Sequence, residues 1–241
     1  MEIYKIPRRE NETNSDYVYR SLRESIIKVT LRPGDIISEP LLQNHFGMSR
    51  SPIREALSIL KHENLVTVAP RSRTQVVLIN EELIMESRYM RCIMEEKILQ
   101  LVLQKDTSPL TRRLTEILDE AEETMKHGGA SAVKTIFDYD SLYHGAEFEF
   151  VGFHYLWDYI RTLNIQYSRF LNLYVEEKLY GESFLPDHRK LIEWIRNKDT
   201  DRLETYIQNN YTHVAGYLKE LKLKHPAYFG KRQNEGQTFH I

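Results

Sequence analysis

Apolar side chains recur at spacings of three and four along most of this chain, so helices dominate its expected structure. Val18, Leu22, Ile26 and Val29 predict a first helix, which Ser15 can cap and which the turn LRPGD ends with Pro33 and Gly34. The stretch SEPLLQNHFG predicts a second. There Ser38 is the expected N-cap, Pro40 fits the first turn, Leu41, Leu42, His45 and Phe46 face inward, and Gly47 stops the helix. Ser49 is expected to cap a third, on which Ile53, Ala56, Leu57 and Leu60 form one apolar stripe while Arg50, Ser51 and Arg54 point away from it. Two helices joined by a short turn containing glycine describe a helix-turn-helix. In LVTVAPRSRTQVVLI the pattern changes to two β-rich runs around a polar, basic tip, which predicts a small two-stranded wing.

From Glu81 onward the helical period returns without interruption by strands. The expected helices are Glu82–Gln104, Pro109–Lys126, Ser131–Val151, Tyr155 to about Lys178, Asp187–Lys198 and Arg202–Lys222, with tyrosine and phenylalanine scattered through the last four. The end, HPAYFGKRQNEGQTFHI, has no period and reads as an extended tail. The expected fold class is therefore mainly α. An N-terminal winged helix-turn-helix with a small β-hairpin spans residues 1–79, an all-helical bundle spans 80–224, and the tail spans 225–241.

A chain of 241 residues, 41% hydrophobic, is long enough to bury a core for one large or two small domains. No apolar run approaches the roughly 20 residues of a membrane span, and MEIYKIPRRENETNSD lacks the apolar stretch of a signal peptide, so a cytoplasmic protein without membrane partners is expected. The single cysteine, Cys92, excludes an internal disulfide and a multi-cysteine zinc site. Charge is divided unevenly. Residues 1–76 carry 12 Lys+Arg against 9 Asp+Glu, and residues 77–241 carry 21 against 26, so a polyanion is expected to meet the N-terminal part.

The major groove of a DNA duplex admits one helix, and side chains at that helix's start reach base edges, arginine pairing bidentately with guanine O6 and N7. Arg50 and Arg54 are placed to do this. Ser49 and Ser51 suit phosphate oxygens, and Arg71 and Arg73 at the wing tip suit the backbone or the minor groove. The plainer reading, a solvated pair of surface arginines, is outweighed by the order helix, turn, basic helix and basic-tipped hairpin.

Residues 15–79 resemble the winged-helix domain of the GntR family of bacterial transcription regulators, through LRPGDIISEPLLQNHFGMSRSPIREALSILKHENLVTV. The resemblance implies base reading by Arg50 and Arg54, phosphate contact by Ser49 and Ser51, and a contribution from the wing, although Arg73 stands where the family's wing tip usually has glycine. The helical remainder, roughly 80–222, resembles the FCD effector domain of the FadR subfamily, through RCIME and the pair DSLYH and DHRKLIEWIRNKD. That likeness implies an Asp and three His around a divalent metal, beside which a small carboxylate effector binds. Carried onto this chain the set is Asp140, His144, His188 and His213. Asp140 and His144 stand four apart on one helical face, and such donors suit Zn, Ni, Mn or Fe.

The family's last ligand falls at Asn210, three residues before His213, which leaves three readings: His213 completes the site, Asn210 binds weakly through its carbonyl, or the site holds no metal; Asn210 is also a candidate effector contact. Arg91 is the candidate partner for an effector's carboxylate, with a plain ion pair to Glu95 as the alternative. Phe148, Phe150, Trp157, Tyr159, Tyr167 and Phe170 can line an effector pocket or serve as ordinary core. Together these features predict a homodimeric, ligand-responsive regulator that binds operator DNA and is not an enzyme. A metal-dependent hydrolase built on the Asp/His cluster and an architectural DNA-binding protein without effector are the rivals.

Overall fold

The computed structural model describes residues 3–4, 6–69, 73–127, 135–177 and 184–230. They form two compact units. The first is built from Met1–Glu82, Ser168–Leu173 and Glu220–Ile241, and the second from Leu83–Tyr167 and Tyr174–Lys219.

In the first unit, α1 (Asn14–Ile27) starts at Thr13, whose Oγ1 accepts the Asp16 amide at 3.1 Å. Ser15, the expected cap, lies inside the helix and is buried. Thr13 takes the role because its backbone is extended, φ −68° and ψ 162°, which turns the hydroxyl toward the open amides of the first turn. Val18, Leu22 and Ile26 are fully buried, and α1 packs on α3 (Arg50–His62) through the stripe of Ile53, Ala56, Leu57 and Leu60. Each buried Val, Leu or Ile among them contributes roughly 1.5–3 kcal/mol of burial.

Between them, α2 (Glu39–Phe46) is capped by Ser38 and ends at Gly47 with φ 66°, a left-handed conformation in which a side chain is strained. Of the four residues expected to face inward from α2, only Leu42 is buried. Leu41 is 43% exposed, because a helix of eight residues on a small core has room for one inward position per turn. His45 and Phe46 are half-buried, and Phe46 meets Tyr17 of α1 edge-on.

Among the described residues the wing has three strands. β2 (Val66–Ala69) and β3 (Arg73–Val76) pair antiparallel as expected, with Val66 opposite Val76. The outer edge of β3 is taken by β1 (Ile36–Ile37), giving the order β1-β3-β2 with Ile36 opposite Gln75. Two residues are too few to show alternation, which is why the third strand has no signature in the sequence. Just beyond the wing, Val77 offers its carbonyl to the buried Arg169 at 2.6 Å. Ile79 forms a parallel bridge with Phe229, the Ile79 amide reaching the Tyr228 carbonyl at 2.8 Å. Residues 225–230, read from the sequence as the beginning of an extended tail, thus include a 3-10 turn at Pro226–Tyr228 and this bridge; residues 231–241 lie outside the described part.

Among the described residues the second unit draws, wholly or in part, on seven helices: α4 (Glu81–Leu103), α5 (Ser108–His127), α6 (Ile136–Phe150), α7 (His154–Leu163), α8 (Ile165–Glu176), α9 (Phe184–Asn197) and α10 (Thr200–Lys224). Its core joins Val102, Leu110, Leu114, Ile117, Leu118, Phe148, Leu191 and Ile195. α5 packs against α6 and α9, and α6 packs against α7. The single helix expected from Tyr155 to Lys178 is two helices, broken at the buried Asn164, whose amide still reaches the Ile160 carbonyl at 3.0 Å. Asparagine is a weak helix former, and here it ends one helix immediately before the next begins. Of the helix expected over Ser131–Val151, residues 131–134 lie outside the described part. Gly145 on α6 permits a close approach, since a Cβ there would lie 2.9 Å from Trp157 Nε1.

Candidate metal centre and nucleic-acid interface

Three donors converge inside the second unit. Asp140 and His144 project from one face of α6, His188 projects from α9, and one ligand atom of each lies within 4.8 Å of the others. His144 Nε2 is 3.7 Å and His188 Nε2 is 3.4 Å from Asp140 Oδ1. The far edges of both imidazoles are occupied. His188 Nδ1 is 2.8 Å from the Phe184 carbonyl, a contact in which the nitrogen must donate, and His144 Nδ1 is 3.1 Å from Glu147 Oε2 and 3.4 Å from Glu95 Oε1. With both Nδ1 atoms engaged, the Nε2 atoms face Asp140, the arrangement found around histidines that bind metals. His188 Nε2 is buried and points into the cluster toward Asp140 Oδ1. Tyr143 fixes the α9 side by donating to the His188 carbonyl at 3.1 Å.

Charge is concentrated here. Arg91 bonds Glu95 through Nε at 2.5 Å, lies 3.5 Å from Asp140 through Nη2, and stacks over Trp157 at 5.2 Å. Of the two alternatives weighed for Arg91, the ion pair to Glu95 is present, and it also aims the guanidinium at Asp140. Burial alone would push the Asp140 carboxyl upward, but His144, His188 and Arg91 together hold it far below the usual carboxylate range. Glu95 behaves likewise, burial being outweighed by Arg91 and His144. For His144, burial opposes the charged form, yet Glu95, Glu147 and Asp140 raise its pKa. Burial dominates at Glu147 and pushes its carboxyl up.

His213 is not part of this cluster. It is exposed on α10 and its ring neighbour is Tyr217, with centroids 6.4 Å apart. Asn210, one turn earlier, is half-buried, and among the described residues it has no hydrogen bond to the triad. The residue missed by reading the sequence is Glu147. Its signal was present, because it stands three positions from His144 on the same helix. Of the aromatic residues considered, Trp157 is beside the site, its ring 6.2 Å from that of His144, and Phe148 packs against Trp157 from the core side. Tyr159 is 68% exposed and Phe170 belongs to the first unit.

On the first unit, Ser49, Arg50, Ser51 and Arg54 are all exposed at the start of α3. Ser49 occupies the N-cap position without making a cap bond, so its hydroxyl is not used by the helix. Arg54 Nε donates to Glu39 Oε1 at 2.9 Å and to Oε2 at 3.0 Å, and Arg50 Nε lies 3.9 Å from the same carboxylate. Arg73 is exposed at the beginning of β3, and Arg71 lies outside the described residues.

The FCD domain matches residues 86–213, more than half of the chain, and the description "Bacterial regulatory proteins, gntR family" matches residues 14–76. The chain belongs to the GntR family. As a GntR protein with an FCD domain it is a ligand-responsive, DNA-binding transcription regulator. The GntR match covers the helix-turn-helix and β2 and β3 of the wing, while the FCD match contains Asp140, His144 and His188. The regulator is similar to the gluconate operon transcriptional repressor of Bacillus licheniformis, 28% identical over 84% of each chain. It is also similar to the uncharacterized HTH-type transcriptional regulator YdhC of Bacillus subtilis, 25% identical over 84% of this chain and 90% of that one. Among solved structures, E. coli McbR/YncC has the same fold, with a TM-score of 0.65 at 20% identity over 87% of this chain and 99% of that one.

Proposed function

We propose that this regulator reads an operator through Arg50 and Arg54 and is switched by a small organic acid bound beside a divalent ion in the helical unit. Asp140, His144 and His188 would hold the ion, which is Zn, Ni, Mn or Fe by the chemistry of one carboxylate and two imidazoles. When bound, the ion supplies a Lewis-acidic point to which effector oxygens bind. Arg91 then meets the effector's carboxylate, held in place by Glu95 and the Trp157 face. The observation that carries this reading is the paired orientation of His144 and His188, whose outer nitrogens are tied down while their inner ones face one carboxylate. The resemblance to gluconate operon repressors supports a sugar acid as the effector class and repression as the output.

Ser49 and Ser51 would take phosphates, and the wing arginines Arg71 and Arg73 would grip the flank. One short recognition helix covers little DNA, so a homodimer on an inverted repeat is the working form, in the cytoplasm where operators are met. Effector binding then shifts the balance between arrangements that fit the operator and those that do not. A hydrolytic use of the triad is less well supported, because the two nearest further carboxylates, Glu95 and Glu147, occupy the Nδ1 edge of His144 and orient it.

The test is elemental analysis of the purified protein, together with mass spectrometry for a retained acid, on the wild type and on His144→Ala. Stoichiometric metal in the first and its loss in the second are expected. Equal metal content in the two would overturn the assignment of ligands.

A further inference from the structure

We propose that Glu39 is the positioning residue of the operator-reading surface, holding Arg50 and Arg54 as a pre-oriented pair and thereby exchanging raw DNA affinity for base selectivity. This rests on the reading that those two arginines meet base edges. Glu39 comes from the first turn of α2, yet its carboxylate reaches across to α3. It accepts one bifurcated hydrogen bond from Arg54 Nε–H, its two oxygens at 2.9 and 3.0 Å, and lies 3.9 Å from Arg50 Nε. The Glu39 side chain is 16% exposed, against 60% for Arg54 and 64% for Arg50, so a sheltered anion anchors Arg54 and attracts Arg50, both facing solvent.

Three physical consequences follow from that geometry. A guanidinium held by Nε presents its two Nη groups outward, the end of the fork that matches guanine O6 and N7. Two cations one helical turn apart repel, and a shared carboxylate between them offsets that repulsion. Finally, fixing two long side chains before DNA arrives lowers the ordering cost on binding, and only a sequence that meets the fixed geometry benefits. The cost is electrostatic. An anion on a surface that faces phosphates weakens association with every sequence equally. A role limited to stabilising the N-terminus of α2 would give none of this, since Ser38 already caps that helix and an exposed ion pair contributes only about 0–1 kcal/mol.

The experiment uses the full-length protein and two probes, a pool of random-sequence duplexes and the duplex that wild-type protein enriches from that pool. Binding to each is measured by fluorescence anisotropy across a salt series for wild type, Glu39→Gln, Glu39→Ala and Arg54→Ala, with thermal melting to confirm that each is folded. Both Glu39 variants are expected to bind the random pool more tightly, with a salt slope steeper by about one. Their preference for the enriched duplex is expected to fall about tenfold in Glu39→Ala and less in Glu39→Gln, which keeps an acceptor oxygen. If Glu39→Gln and Glu39→Ala keep the wild-type preference while Arg54→Ala loses it, Glu39 is only a surface ion pair and the proposal fails. If Arg54→Ala also keeps it, the base-reading role of α3 fails first, and the proposal with it. Should Glu39→Ala melt early, Glu39→Gln alone decides between these results.

Discussion

Replacing Glu147 by Gln separates two effects that the buried cluster holds in opposition. Glu147 is 1% exposed, and burial pushes its carboxyl above the ordinary range. An acid whose pKa is raised by folding contributes least where it must ionise, so its cost to stability grows as pH rises above the unfolded value of 4.5. Glutamine has the shape of the neutral acid. The metal-free variant should therefore melt higher than metal-free wild type at pH 8, with the gap closing toward pH 5.

Metal binding should respond the other way. A bound ion needs neutral His144 with its Nδ1–H donated outward, and an anionic Glu147 at 3.1 Å strengthens that imidazole as a ligand. Loss of such an outer partner typically weakens metal binding 10- to 100-fold, about 1.4–2.8 kcal/mol. Here the lower end is expected, because Glu95 lies 3.4 Å from the same nitrogen and can take over, and because Gln still accepts the hydrogen bond. Differential scanning fluorimetry of metal-free protein and competition with a fluorescent chelator give the two numbers. A variant that melts lower at pH 8, or binds Zn or Mn within twofold of wild type, would refute the assigned role of Glu147.

Further expectations follow from the same geometry. Arg54→Ala should weaken binding to the enriched duplex by about 1–3 kcal/mol and relax base preference at one position per half-site, read by anisotropy on single-base variants. Gly47→Ala, at φ 66° with no atom within 4 Å of a new Cβ, carries a backbone cost alone; chemical denaturation should show a loss of about 1 kcal/mol, smaller for Gly47→Asn. The hydrogen bond from Arg20 lowers the Glu12 pKa from 4.5 to about 2, so its contribution is complete above pH 4.5 and fades as pH falls toward 2. Acid melting curves of Arg20→Ala should lack that part of the decline, and identical curves for variant and wild type would count against the pairing.

The DNA-binding unit was readable wherever a residue's role is set by its neighbours in sequence. The α3 stripe of Ile53, Ala56, Leu57 and Leu60 and the left-handed stop at Gly47 are local properties, and both stand as read. β1 was not readable, because two isoleucines become a strand only when β3 supplies the partner edge. Within the helical unit, Asp140 and His144 share a helix face and so were visible as a pair, whereas the meeting with His188 depends on how α9 packs. Position alone misled at His213. A histidine three residues from the expected place looked equivalent, but the α10 face that carries it is turned to solvent. The distinction between one long helix and the pair α7 and α8 turns on Asn164, whose effect depends on its burial.

Ile79 pairs with Phe229, and Arg169 closes on Val77, so the segment leaving the wing is completed by residues that leave the ribosome long after it. A nascent chain that has released only its first 80 residues therefore carries unpaired backbone groups at this edge. Biosynthesis imposes a delay: the edge beside the wing acquires these partners only once the chain has been made through Phe229.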